Sequence, residues 1–399
     1  ASGGSSGSAG TSGGNAGASG ASASAGTGAG GSVATGGPPP SCSDPVTALP
    51  EGAPALTAGV WTNISPSQVP FESENIFTQG MAVDPCNPAT LYLTVTGYDA
   101  EFHTLPNGGL YKSTDAGTSW TRLGPFDSGL NLRIDPSDSQ HLYFGNGVRG
   151  MAGFWVSTDG GDTWTQPQGF KDVSQQKLGG DTDVYHVEPD PADFNHVLLS
   201  YHWYWDGCAS GCNSGVIESF DGGESWTVHD ANPEWQGAGG YDVLFLYNPA
   251  LGIGDSKTWL YGSQGHGYFR TTDSGTSWKQ VTTNSMEHGG ATLYYTADGT
   301  LYAPGASSLM RSTDNGETWT LVGPSGGYLS VLGDGTTLYS GRHSQTGPLV
   351  VSPENDGVNW TDQDVPESLE GPFEMAFDSA NGILYSASVG AGIWALKLE

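Results

Sequence analysis

STDAGTSW, residues 113–120, returns as STDGGDTW (157–164), SFDGGESW (219–226), TTDSGTSW (271–278) and STDNGETW (312–319), with a stretched sixth copy, SPENDGVNW, at 352–360. Each copy stands between two short apolar runs, as GGLYK (108–112) and WTRL (120–123) flank the first. Asp beside Gly between two such runs is turn chemistry: the carboxylate accepts nearby backbone amides, Gly takes a positive φ, and the Trp enters the next strand as an apolar plug. The Trp residues that end the copies, Trp120, Trp164, Trp226, Trp278, Trp319 and Trp360, are 44, 62, 52, 41 and 41 residues apart. That is the length of a four-stranded blade with occasional insertions, so the repeat predicts an all-β propeller.

The S/T-x-D-x-G-x-[ST]-W copies resemble the Asp-box, or BNR-repeat, β-propeller superfamily, which holds sialidases, xyloglucanases and related glycoside hydrolases, sortilin-type receptors and a photosystem assembly factor. The resemblance covers residue 60 or so to the C-terminus. It implies that Asp115, Asp159, Asp221, Asp273 and Asp314 are structural and lie away from the ligand site. A sialidase would need three clustered arginines for its substrate carboxylate. Here only Arg149 and Arg342 fall in candidate ligand-face loops, with Arg133 in an inner strand and Arg122, Arg270 and Arg311 in the repeat framework. The basic patch of the assembly factor and the tandem propellers of many xyloglucanases have no counterpart in these 399 residues.

A second signal counts the blades. A strand ending in Asp-Pro or a variant, then an L-Y-like strand, occurs seven times, from MAVDPCNPATLYLTV to EMAFDSANGILYSAS. The last copy ends at IWALKL (393–398), one strand short, whereas Val60-Trp61-Thr62-Asn63-Ile64 matches the strand that follows each repeat turn. The expectation is therefore a seven-bladed propeller over 41–399, closed by an N-terminal outer strand that removes the open sheet edges. No convincing helical period interrupts it. Residues 1–40 are uncharged Gly, Ser, Ala and Thr ending in three prolines, a linker with nothing to bury and expected to be disordered. It resembles the tether of bacterial lipoproteins and is compatible with a lipid anchor upstream of residue 1.

Asp and Glu outnumber Lys and Arg by 42 to 12, a net charge of −30, with no basic run, which excludes polyanionic partners such as nucleic acid. There is no run of eighteen apolar residues to span a bilayer. Four cysteines without a C-x-x-C favour disulfides and an extracytoplasmic setting, secreted or lipoprotein. Cys42 and Cys86 could tie the incoming chain to blade one, and Cys208 and Cys212 could close a loop or, alternatively, hold zinc; sequence does not fix the pairing. A monomer is expected.

The repeat turns occupy one face, so the long insertions at 97–109, 168–183, 201–215, 229–242 and 341–349 fall on the other, where binding residues usually live. Carboxylates and one histidine there are the catalytic candidates: Asp181, Asp183, His186, Asp242, Glu287 and Glu374. Paired carboxylates across a cleft suit glycoside hydrolysis, one protonating the leaving oxygen and the other acting as base or nucleophile. Alignment on the Asp-Pro turn sets His186 and Glu374 at equal depth, across the channel from one another. Candidate binding residues are His103, Arg149, Tyr201, His202, Trp203, Trp205, Trp235, Tyr241, His266, His288, Arg342 and His343, the aromatics for stacking on sugar rings. No cofactor is required, although His202, His266, His288 and His343 could hold a divalent metal. These residues predict an exported, glycoside-hydrolase-like propeller acting on a polysaccharide or oligosaccharide at the channel mouth. The alternatives are a non-catalytic propeller that binds glycan or protein, and a His/Tyr polysaccharide lyase.

Overall fold

A computed structural model describes residues 45–71, 76–97, 107–147, 151–202, 215–229, 240–286, 292–342, 349–366, 371–388 and 390–399, with Val33–Ala34, Cys42 and Leu369. Seven antiparallel sheets follow one another in chain order around a central axis. Their inner strands are Ile76–Val83, Asn131–Asp135, Val184–Asp190, Gly240–Phe245, Leu293–Tyr295, Tyr328–Gly333 and Pro372–Asp378. Blade seven takes its outermost strand from the other end of the chain: Trp61–Asn63 pairs antiparallel with Gly392–Lys397, with Trp61 opposite Leu396. Trp61 is buried in one cluster with Leu396, Leu384 and Leu338.

The repeat turns explain their own sequence. In the first, Ser113 Oγ donates to Asp115 Oδ1 (2.7 Å) and accepts from the Gly117 amide (2.8 Å), while Asp115 accepts the amide and hydroxyl of Ser119 at 2.8 and 2.5 Å. The same bonds recur around Asp159 and Asp221. Both residues after the Asp lie in the left-handed region, Ala116 and Gly117 at φ 57° and 92°, and Asn315 and Gly316 at 54° and 77°. Two successive positive φ values restrict the first position to small residues or Asn, which is what the copies hold. The stretched copy departs: Asn359 Nδ2 donates to Asp356 in place of the hydroxyl pattern.

The L-Y strands supply latches between blades. Tyr92 OH and Lys112 Nζ of blade one both donate to the Gly160 carbonyl in the turn of blade two, each at 2.8 Å. Arg270 Nε of blade four likewise donates to the Asn315 carbonyl in the turn of blade five.

Two expectations need correction. Blade two has three strands, its fourth reduced to the single bridge Val156 to Thr165. The insertion that follows holds an α-helix, Gln168–Lys177, not a loop confined to the ligand face. Phe170, Val173 and Ser174, at i, i+3 and i+4, form its buried stripe, with Phe170 against Phe154 and Trp226. Gly169 lies so close to the Glu224 carbonyl in the turn of blade three that a Cβ there would clash, so the helix starts near the turn face and climbs to the mouth. It fills the space the short fourth strand leaves.

Cys42 and Cys86 form a disulfide that fastens the incoming chain to blade one. Cys208 and Cys212 lie outside the described residues. Of the expected disordered tail only Val33–Ala34 is described; its backbone runs parallel to the inner strand of blade five, opposite Leu293 and Tyr294.

Candidate functional site at the channel

Inner strands turn alternate side chains toward the axis, and here a cluster of charge lines it. Arg133 Nη1 meets Glu374 Oε1 at 3.3 Å and its Nη2 lies 3.5 Å from His186 Nε2. His186 Nδ1 pairs with Asp242 Oδ1 at 3.0 Å, and its Nε2 lies 3.3 Å from Glu188 Oε2. These five residues come from blades two, three, four and seven, and none is more than 5% exposed. Backbone amides complete the carboxylates: Met81 N donates to Glu374 and Phe245 N to Glu188. Charges this deep persist only when paired and hydrogen-bonded.

Burial disfavours a charged His186 ring, yet the Asp242 carboxylate and the hydrogen bonds to Asp242 and Glu188 outweigh it and hold the pKa at about 9. Burial pushes the Glu374 carboxyl above its ordinary value, with Arg133 and the Met81 amide opposing. Beside the network lies a cavity of about 20 Å³ lined by Gln79, Asn131, Arg133, His186, Asp242 and Glu374 among others. That space holds about one water and no sugar ring.

The mouth above is shaped by β-bulges. The inner strands of blades one, three, four and seven each slip register near their mouth end, between Thr78 and Gly80, Val184 and His186, Gly240 and Asp242, and Pro372 and Glu374. The extra residues in blades one, three and seven, Gln79, Tyr185 and Phe373, all border the cavity. A bulge re-aims one side chain without ending the sheet, which is why bulges gather at sites. Above Tyr185, the His202 ring stacks on it at 4.8 Å and an interplanar angle of 19°, and His202 Nδ1 pairs with Asp183 Oδ2 at 3.2 Å. Their side chains are 18% and 20% exposed, so this pair reaches solvent where the deeper one does not. Asp181 Oδ1 accepts the Asp183 amide at 2.8 Å and so fixes the approach to the strand.

Of the catalytic candidates, then, His186, Asp242 and Glu374 converge, but inside the wall of the channel; Asp242 stands within its strand and not before it. Asp181 and Asp183 gather at the mouth with His202, while Tyr201 is fully buried beneath them. Burial drives the Tyr201 phenol well up. Arg342 ends the second strand of blade six, half-buried. His266 lies in the turn between Ser263 and Gly267 of blade four. Glu287, His103, Arg149, Trp203, Trp205, Trp235, His288, His343 and the side chain of Tyr241 lie outside the described residues. Among the described residues, no three His, Cys, Asp or Glu are grouped to hold a metal ion.

Sequence reasoning missed Arg133 and Glu188 as members of the network. Both stand two residues before the Asp of their Asp-Pro turns, Asp135 and Asp190, one inward-facing step from the offset of four that picked out His186 and Glu374. A scan for charge at every even offset would have found them.

Residues 213–372 match the DUF6242 beta propeller domain. A xyloglucanase from a Paenibacillus species is 26% identical over 297 residues, covering 62% of this chain and 26% of the relative. Another, from Hypocrea jecorina, is 26% identical over 61% of this chain and 32% of its own length. The chain thus spans about a quarter to a third of these relatives. Among solved structures, the extracellular domain of a hybrid two-component system from B. thetaiotaomicron superposes with a TM-score of 0.60 at 12% identity, covering 84% of this chain and 41% of that one. That likeness speaks to the fold. The chain is a seven-bladed propeller that resembles xyloglucanase-like glycoside hydrolases. No helix among the described residues is long and apolar enough to cross a membrane.

Proposed function

We propose that this chain is an exported, glycoside-hydrolase-like propeller that engages a neutral polysaccharide of the xyloglucan class at the mouth of its channel. The observation that carries the reading is the alignment with two xyloglucanases over about three-fifths of the chain. The mouth supports it chemically. Tyr185 and His202 make a stacked pair of rings, Asp183 offers a carboxylate able to take hydroxyl protons, and the strands beneath hold both rigidly. In this reading Asp183, oriented by His202, is the one proton-transferring group in contact with ligand, and His186, Asp242 and Glu374 with Arg133 and Glu188 are the plug that sets the blades around it.

A second reading, binding without hydrolysis, is favoured by one observation: the carboxylates that would face one another across the channel are buried in ion pairs beside a cavity of about 20 Å³. The two readings part in a single assay. Purified protein is incubated with xyloglucan, unsubstituted β-glucan and an anionic polysaccharide, and both retardation in an affinity gel and release of reducing ends are followed. Retardation by xyloglucan with release of ends supports the enzyme, retardation without release the binding module, and neither would refute the assignment to a polysaccharide.

A further inference from the structure

Blade three is joined to blade four by a different chemistry from the one that joins blade one to blade two and blade four to blade five. The residue before the Ser or Thr that opens each turn is Lys112, Arg270 and Arg311 in blades one, four and five, and Lys112 and Arg270 reach across to the next turn. In blade three that residue is Glu218, a reversal of charge, and the strand position that holds the latch Tyr92 in blade one holds Leu198. In place of the latch stands a row of ionisable side chains, one from each of the four strands Val184–Asp190, Asp193–Tyr201, Val216–Ser219 and Thr227–His229. His196 Nδ1 meets Asp190 Oδ2 at 2.8 Å and its Nε2 meets Glu218 Oε1 at 2.9 Å, while Glu218 Oε2 meets His229 Nε2 at 2.8 Å. Asp190, His196 and Glu218 are buried.

Between two ionised carboxylates the His196 ring donates from both nitrogens, the arrangement an imidazolium makes. It is sealed in from outside. Phe220, where the other four regular turns have Thr, lies flat on the ring at 4.3 Å and 14°, itself 64% exposed. Blade four packs against the row with uncharged rings, Phe245 on His196 and Trp259 on His229. The adjoining turns carry Asp221 and Asp273, each held by its own Ser or Thr hydroxyls.

We propose that this row is a proton-dependent clasp: it holds the four strands of blade three to one another and to blade four only while His196 is doubly protonated and Glu218 is ionised. The clasp lies at the far end of the two strands that hold Tyr185 and are flanked by Asp183 and His202. Burial opposes charge on His196, but the bonds to Asp190 and Glu218 prevail and raise its pKa from 6.5 to about 9. Its contribution is complete below 6.5 and is lost as pH rises through about 9. Burial likewise opposes charge on Glu218, yet His196 and His229 depress its pKa below the ordinary 4.5, so its contribution is complete above that value and is lost as pH falls through the depressed one. Between these limits the clasp is shut. Above them blade three loosens before the rest of the ring.

The test is the proton itself, followed on the intact chain by nitrogen-15 spectra of the histidine rings and by amide exchange corrected for intrinsic rates. We expect His196 to show two protonated ring nitrogens at pH 7.5 and to titrate near 9, with amides in 197–201 and 216–219 gaining at least tenfold in exchange between pH 8 and 10 relative to those in 328–333. In Glu218→Gln, isosteric but uncharged, the His196 midpoint should fall by more than a unit and the pH-dependent gain should vanish. In Phe220→Thr, which uncovers the His196 ring at an exposed position, blade-three exchange is expected to quicken even at pH 7.5. A neutral His196 at pH 7.5, or exchange that rises equally in all blades, would overturn the clasp.

Discussion

The two ends of the blades use carboxylates for opposite purposes. At the turn end, Asp115, Asp159, Asp221, Asp273 and Asp314 are satisfied within four residues of themselves by their own Ser, Thr and amide neighbours. At the channel, Glu374, Asp242 and Glu188 are buried and take partners from other blades. Local satisfaction makes a motif portable, so it repeats; satisfaction from across the ring makes each residue singular. A repeated Asp therefore reports on the hairpin, and a singular buried one on the ring. Asp183, neither repeated nor sealed, is the carboxylate that the proposed function sets against a ligand.

The largest effect is expected at the ring. Deleting residues 58–66 removes Trp61 and the strand that closes blade seven, and should lower the melting midpoint by more than ~10 °C or abolish cooperative unfolding. An unchanged midpoint would show that closure carries no weight. Next in size is Arg133→Met, which strands Glu374 in the channel wall and should cost about 3–5 kcal/mol in chemical denaturation, with most of it recovered in the double variant that also carries Glu374→Met. Because burial raises the Glu374 pKa, the loss in the single variant should deepen as pH rises through that value, where the unpaired carboxylate is forced to ionise.

At the turns the effect should be small, and its pH dependence should fall in a more acid range. Asp159→Ala loses its bonds to Ser157 and Thr163 and should lower the midpoint by about 2–4 °C at neutral pH. Hydrogen bonds from Thr163 and Ser157 hold the Asp159 pKa at about 2, so its contribution is present above the ordinary 3.8 and is lost as pH falls through 2. Wild type and variant should therefore converge in acid, and a difference that persists at pH 2 would mean that the Asp acts through something other than its charge.

The repeat made the fold legible because its chemistry is local. Two positive φ values, one carboxylate and one indole fit within eight residues, and even the closing strand showed itself through Trp61-Thr62. The helix Gln168–Lys177 hid because only Phe170, Val173 and Leu178 mark its face, too few for a period to stand out. The site was legible in part. Alignment on the Asp-Pro turns set His186 and Glu374 at one depth, and both meet Arg133. The bulges at Gln79, Tyr185 and Phe373 were not legible, since a register slip depends on pairing between strands and leaves no local composition. Nor was the row through His196, whose four members are spread over residues 190–229 and meet only when blade three is built.

Binding by mouth variants puts the division between the two ends to its most direct trial. Xyloglucan affinity is measured by titration calorimetry for wild type, Asp183→Asn, His202→Ala and Asp159→Ala, alongside their melting midpoints. We expect the two mouth variants to bind at least tenfold more weakly, a loss of about 1.4 kcal/mol or more, with midpoints within about 2 °C of wild type. Asp159→Ala should bind as wild type and melt earlier. Full binding by both mouth variants, with the turn variant alone losing ligand, would contradict the placement of the site on this face.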